Sequence, residues 1–134
     1  RGLVGSEMCI RDRFRHGDNV SFTVDARQPV YMYVFNSHAK GVDLIYPIDY
    51  NKDYVVSGKF KFPEQWPDPN NKFMLRAWLP NGKDYSNEKL IFVFSKAKLD
   101  FAREGMSKEH VEELIKTIPV YSRRVVYRNF AVYR

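Results

Sequence analysis

A mainly-β fold is what this sequence predicts: an antiparallel β-sandwich, immunoglobulin-like in general architecture, with one C-terminal α-helix near 107–118 and a closing strand. Three observations carry it. β-Branched and aromatic residues crowd into short runs, the clearest being Val30-Tyr31-Met32-Tyr33-Val34-Phe35. Apolar and polar residues alternate through Val20–Asp25 and again in Lys59-Phe60-Lys61-Phe62, the pattern of a strand with one buried face. Turn chemistry separates the runs, as at Ser37-His38-Ala39-Lys40-Gly41 and Pro80-Asn81-Gly82.

The elements follow in order. His16-Gly17-Asp18-Asn19 is a turn that opens the strand of Val20, Phe22 and Val24, and Arg27-Gln28-Pro29 leads into a second strand, Val30–Phe35. That strand is apolar on both faces, so it belongs at the centre or beneath another layer. A third strand, Val42–Tyr46, stops at Pro47, which has no N–H for a ladder. Asp49–Gly58 is a polar, Tyr-bearing loop, Lys59–Phe62 a strand, and Pro63, Pro67 and Pro69 make the next connection irregular. Phe73, Leu75, Ala77 and Leu79 then share one strand face, with Met74, Arg76 and Trp78 on the other, and Leu90–Phe94 is another strand apolar on both sides. For the helix, Ser107 is the N-cap, and Val111, Leu114, Ile115 and Ile118 form one apolar stripe that Pro119 ends. Val125–Tyr133 is the closing strand.

The first thirteen residues stand apart. The string Val4-Gly5-Ser6-Glu7-Met8-Cys9-Ile10-Arg11-Asp12 is similar to a translated sequencing adapter that recurs at the ends of unrelated conceptual translations. Residues 1–13 are therefore expected to be an artefactual or disordered tail, with a natural start that was never read, and residues 14–134 a single domain. Cys9, the sole cysteine, falls in that segment, so disulfide, zinc and cysteine-nucleophile chemistry have no raw material in the domain.

The composition suits one folded domain: 134 residues, 44% hydrophobic and 16% aromatic. No run reaches the roughly 20 apolar residues of a membrane span. The formal charge is +6. It gathers at the C-terminal end, where no acidic residue follows Glu113 while Lys116, Arg123, Arg124, Arg128 and Arg134 do. That end is read first as a solvated strand with outward arginines. The alternative is a polyanion-binding face made by Arg123, Arg124 and Arg128; nucleic acid is not the expected partner.

In order of occurrence, several pieces resemble one bacterial family, domain of unknown function 4384. They are Gly17-Asp18-Asn19-Val20, Tyr31-Met32-Tyr33-Val34-Phe35, the Gly41 turn, Leu44-Ile45-Tyr46-Pro47, Val55-Val56-Ser57-Gly58, and Phe73-Met74-Leu75-Arg76-Ala77 running to Pro80-Asn81-Gly82. The likeness spans about residues 14–101, leaving 102–134 as a C-terminal helix–strand extension. The resemblance implies a β-sandwich-like module, placed beside other domains in envelope-associated or secreted bacterial proteins, and hence an extracytoplasmic setting. It carries no catalytic residue across.

Motifs of chemistry are sparse. Asp49-Tyr50-Asn51-Lys52-Asp53 has the opening spacing of an EF-hand loop, but Tyr54 stands where its glycine belongs and Phe60 where its bidentate glutamate belongs. His16, His38 and His110 sit in different elements without metal-ligand spacing. Ser95-Lys96-Ala97-Lys98 matches Ser-x-x-Lys but leaves a strand rather than opening a helix. The expectation is therefore a non-enzymatic module without cofactor or metal, whose partner is a protein, another domain of the same chain or a glycan. Tyr50, Tyr54, Trp66 and Trp78 lie in or beside loops. They are read first as capping the core and, alternatively, as stacking on sugar rings or anchoring a peptide.

Overall fold

A computed structural model describes residues 6–38, 41–46, 55–62, 75–99 and 106–134. Its strands are β1 (Ser6–Ile10), β2 (Arg13–Arg15), β3 (Asn19–Val20), β4 (Phe22–His38), β5 (Gly41–Tyr46), β6 (Val55–Phe62), β7 (Leu75–Arg76), β8 (Tyr85–Ser95) and β9 (Arg123–Tyr133). One helix, α1 (Lys108–Lys116), and a 3-10 turn at Val120–Ser122 precede β9. Among the described residues the protein is mainly β with a single helix, as its sequence predicts.

Strand β4 organises everything else. It runs through 17 residues and joins what the sequence presents as two strands. The expected break at Arg27-Gln28-Pro29 is instead a bulge. Ala26 pairs with Gly58 and Val30 with Val56, so three β4 residues face one on β6. Pro29, lacking an N–H, falls where the ladder is already interrupted, and Gly58 accommodates the irregularity at φ +68°.

At the bulge the sheet folds over itself. The N-terminal arm of β4 carries β1 on one edge and β6 on the other; the C-terminal arm carries β8 and β5. A straight strand would set Phe22 roughly 40 Å from Val34 at about 3.3 Å per residue. Yet the Phe22 ring meets Phe92, the β8 partner of Val34, edge-on at 5.0 Å. Among the described residues the two layers are therefore arms of one curled seven-stranded sheet, and immunoglobulin-like pairing into two separate sheets is not seen there. The sheet is mixed, because β2 joins β9 in parallel, and β3 with β7 forms a separate two-stranded ribbon.

The interior of the curl is aromatic. Phe22 stacks on Phe62 at 4.7 Å, Tyr46 meets Phe62 edge-on, and Phe14 meets Phe130 edge-on at 5.2 Å. The opposite face of the C-terminal arm is covered by α1. Val111 and Ile115 pack on Tyr33, Phe35, Ile91 and Val93. Ser107 caps the helix as its sequence predicts, its hydroxyl accepting the His110 N–H at 3.0 Å.

Part of the N-terminal segment is drawn into the sheet. Ser6–Ile10 lies as an antiparallel edge strand on β4, with Met8 opposite Val24 and buried. Main-chain pairing does not depend on side-chain identity, which is why an open edge accepts this segment. The side chains fit it poorly, since Glu7 stands directly opposite Asp25.

Candidate functional site

A cleft of about 340 Å³ opens where β8 outruns β4. The β4–β8 ladder stops at Ser37 opposite Lys89, so Ser86 and Glu88 keep β9 on one side and no described strand on the other. The chain from Leu75 to Pro80 passes over this gap and closes it into a cleft. Buried Ala77, Leu90 and Phe130 form its apolar floor. Asn36, paired with Leu90 in register, and Glu88, paired with Phe130, bring polar groups to its walls.

The turn at its rim follows from local chemistry. Gly17 takes φ +93°, the Arg15 N–H donates to the Asp18 carboxylate at 2.9 Å, and Ala77 exchanges main-chain bonds with Gly17 and Asp18. This clamps Ala77 inward, so Trp78, the next residue, turns outward and is 65% exposed. Its indole packs against the His16 ring at a centroid distance of 4.7 Å. His16 is held in turn, because its Nδ1 accepts the Leu79 N–H at 2.9 Å. Reading Trp78 as a cap on the core is therefore corrected: Ala77 and Leu79 own the inward positions.

The polar inventory is compact. The Ser86 hydroxyl donates to Glu88 Oε2 at 2.7 Å, while Arg76 lines the cleft from β7. The Asn36 side-chain oxygen is buried and meets no hydrogen-bond donor among the described residues. The cleft thus offers an aromatic platform, a carboxylate, an amide and a guanidinium above an apolar floor. Its volume lies at the lower end of the range typical of small-ligand sites. A larger hollow of about 500 Å³ runs along β1, β4 and β6, but its polar wall is made of outward residues such as Glu7, Asp25, Lys59 and Lys61, and among the described residues no buried, unpartnered side-chain polar atom lines it.

The other candidates from the sequence are not brought together. Tyr50, Tyr54, Trp66 and the Asp49–Asp53 stretch lie outside the described residues. The proposed Arg123–Arg124–Arg128 face is corrected, because successive strand residues point to opposite sides. The Arg123 guanidinium reaches the end of α1, donating to the carbonyls of Ile115 at 2.9 Å and Ile118 at 2.6 Å. Arg124 and Arg128 are exposed on the other side of β9. Ser95 is buried, and its hydroxyl closes a turn on Ala97. Among the described residues no three His, Cys, Asp or Glu converge as a metal site, and no helix is long and apolar enough to cross a membrane.

Asn36, Arg76, Ser86 and Glu88 were missed from the sequence. The only local signal was parity: Ser86, Glu88 and Leu90 share one face, as do Met32, Val34 and Asn36.

A family model described as "Domain of unknown function (DUF4384)" matches residues 13–97. No curated protein and no solved structure matches the chain.

Proposed function

The chain belongs to the DUF4384 family, and from that premise we propose that it is a non-enzymatic binding module whose ligand site is the Trp78 cleft. The observation that carries the reading is an exposed indole at the rim of a cleft whose wall holds a buried, unpartnered amide oxygen. An aromatic platform beside acceptor oxygens suits a ligand with an apolar face and hydroxyl or amide donors, which means a glycan or an extended peptide. The Ser86 hydroxyl is committed to Glu88 and the His16 Nδ1 to a main-chain amide, which supports holding a ligand over turning one over. In this reading the domain is an accessory module of a larger bacterial cell-envelope or secreted protein.

The test is a glycan array and a peptide panel probed with the wild-type chain and with Trp78→Ala. Because the indole is mostly exposed, the variant should fold with stability changed by less than about 1 kcal/mol. It should lose the ligand, with affinity down by about tenfold or more. Unchanged binding by Trp78→Ala to any ligand found would reject the cleft as its site.

A further inference from the structure

Away from the cleft, part of one edge of β9 is left unpaired among the described residues. Strand parity fixes what that edge offers. The Ala131 N–H donates to the Asp12 carbonyl at 2.8 Å and the Tyr133 carbonyl accepts from the His16 N–H at 2.7 Å. Odd-numbered residues of β9 therefore direct their main-chain groups away from β8. Strand β2 covers only Ala131–Tyr133. At the other end the Arg123 N–H turns back to the Val120 carbonyl. Between these limits Val125, Tyr127 and Asn129 present N–H and C=O groups along an edge that no described strand pairs.

Among the described residues one bond occupies that edge: Arg128 Nη1 donates to the Tyr127 carbonyl at 3.0 Å. Arg124 and Arg128 are exposed and share one side of the strand, and the one ion pair found among the described residues joins Arg11 to Asp18 elsewhere. No acidic residue follows Glu113 to neutralise them within this part of the chain. On the other edge β8 pairs with every residue of β9 from Arg123 to Tyr133, so the template is rigid.

We propose that this edge is a strand-addition site for an extended acidic segment of a partner protein. The guest runs antiparallel to β9 and exchanges main-chain bonds with Val125, Tyr127 and Asn129. Arg124 and Arg128 then fall at the non-hydrogen-bonded positions, where cross-strand side chains stand closest. Carboxylates four residues apart on the guest meet both guanidiniums. Arg128 leaves the Tyr127 carbonyl to a guest N–H and takes a carboxylate in exchange.

The experiment uses the whole chain and a labelled, end-blocked nonapeptide of Val and Thr with Glu at its third and seventh places. Fluorescence anisotropy should show saturable binding, and hydrogen exchange at Val125, Tyr127 and Asn129 should slow on addition. The double variant Arg124→Glu with Arg128→Glu should weaken binding by about tenfold, two exposed attractions becoming repulsions, and a peptide with Lys in place of Glu should restore it. N-Methylation of the guest amides that face β9 should abolish binding. The proposal is overturned if the N-methylated peptide or heparin binds as tightly as the nonapeptide, which would mark a merely basic patch. It is equally overturned if the three amides gain no protection, or if no saturable binding is seen at millimolar peptide.

Discussion

The two sides of β4 are held by different kinds of interaction. Toward the interior of the curl, Phe22 meets the rings of Phe62 on β6 and Phe92 on β8, Val24, Met32 and Val34 belong to the same buried cluster, and contact is almost wholly apolar. Toward α1, Tyr33 and Phe35 also pack on apolar residues, but that layer is pinned by groups that reach for the main chain. The Tyr33 hydroxyl accepts the Leu99 N–H at 2.7 Å and donates to the Leu99 carbonyl at 3.2 Å. The Val42 N–H donates to the Met106 carbonyl, an approach so close that a Cβ at Gly41 would lie 2.5 Å from that oxygen. Arg123 takes two carbonyls at the end of the helix. Burial alone closes the sheet on itself; attaching a short helix to its outside takes directed bonds as well.

The sharpest way to break this contrast is Phe92→Ala. Phe92 is fully buried at the contact between the two arms, edge-on to Phe22. Its loss should cost about 3–5 kcal/mol in denaturant unfolding, the range for emptying an aromatic site in a packed core. A cost below about 1 kcal/mol would show that the arms do not press on one another there, and the folded-over description of the sheet would have to go.

How far the sequence reveals these features depends on range. Alternation at Val20, Phe22 and Val24, the Ser107 cap and the 107–118 stripe are local patterns, and the structure places each where the pattern requires. Arg27-Gln28-Pro29 misled because turn-forming residues also serve in a bulge, and only pairing with β6 distinguishes the two. Trp78 misled because aromatic character suggested burial, whereas the parity of Ala77 and Leu79 already pointed it outward. The cleft was invisible for another reason. Asn36, Arg76 and Glu88 converge only because β8 extends past the end of its ladder with β4, a fact of register that no local window contains.

Tyr33→Phe sharpens the other side of the comparison at a smaller cost. It keeps the ring among Ile91, Val93 and α1 while removing both bonds to Leu99. We expect a loss of about 1–2 kcal/mol, since two half-buried main-chain groups lose their partner. Hydrogen exchange at the Leu99 amide should accelerate more than at Phe92 or Phe94. Uniform acceleration across β8 would mean that the hydroxyl serves the sheet rather than the segment it pins.

The smallest effect is expected at Arg123, and it separates a structural arginine from a binding one. Its guanidinium lies where a helix leaves carbonyls without intrahelical partners and where the helix dipole favours positive charge. Arg123→Gln should cost about 1 kcal/mol, because water can replace part of what the guanidinium supplies at a half-buried helix end. Exchange should quicken at the amides of Thr117 and Ile118, which bond back to Leu114 and Ile115 in the last turn. Affinity of the β9 edge for an acidic peptide should stay unchanged, since Arg123 sits on the opposite side of the strand from Arg124 and Arg128. If Arg123→Gln instead weakens peptide binding as much as loss of Arg128 does, all three arginines act on one ligand and the division drawn here between the helix cap and the open edge is wrong.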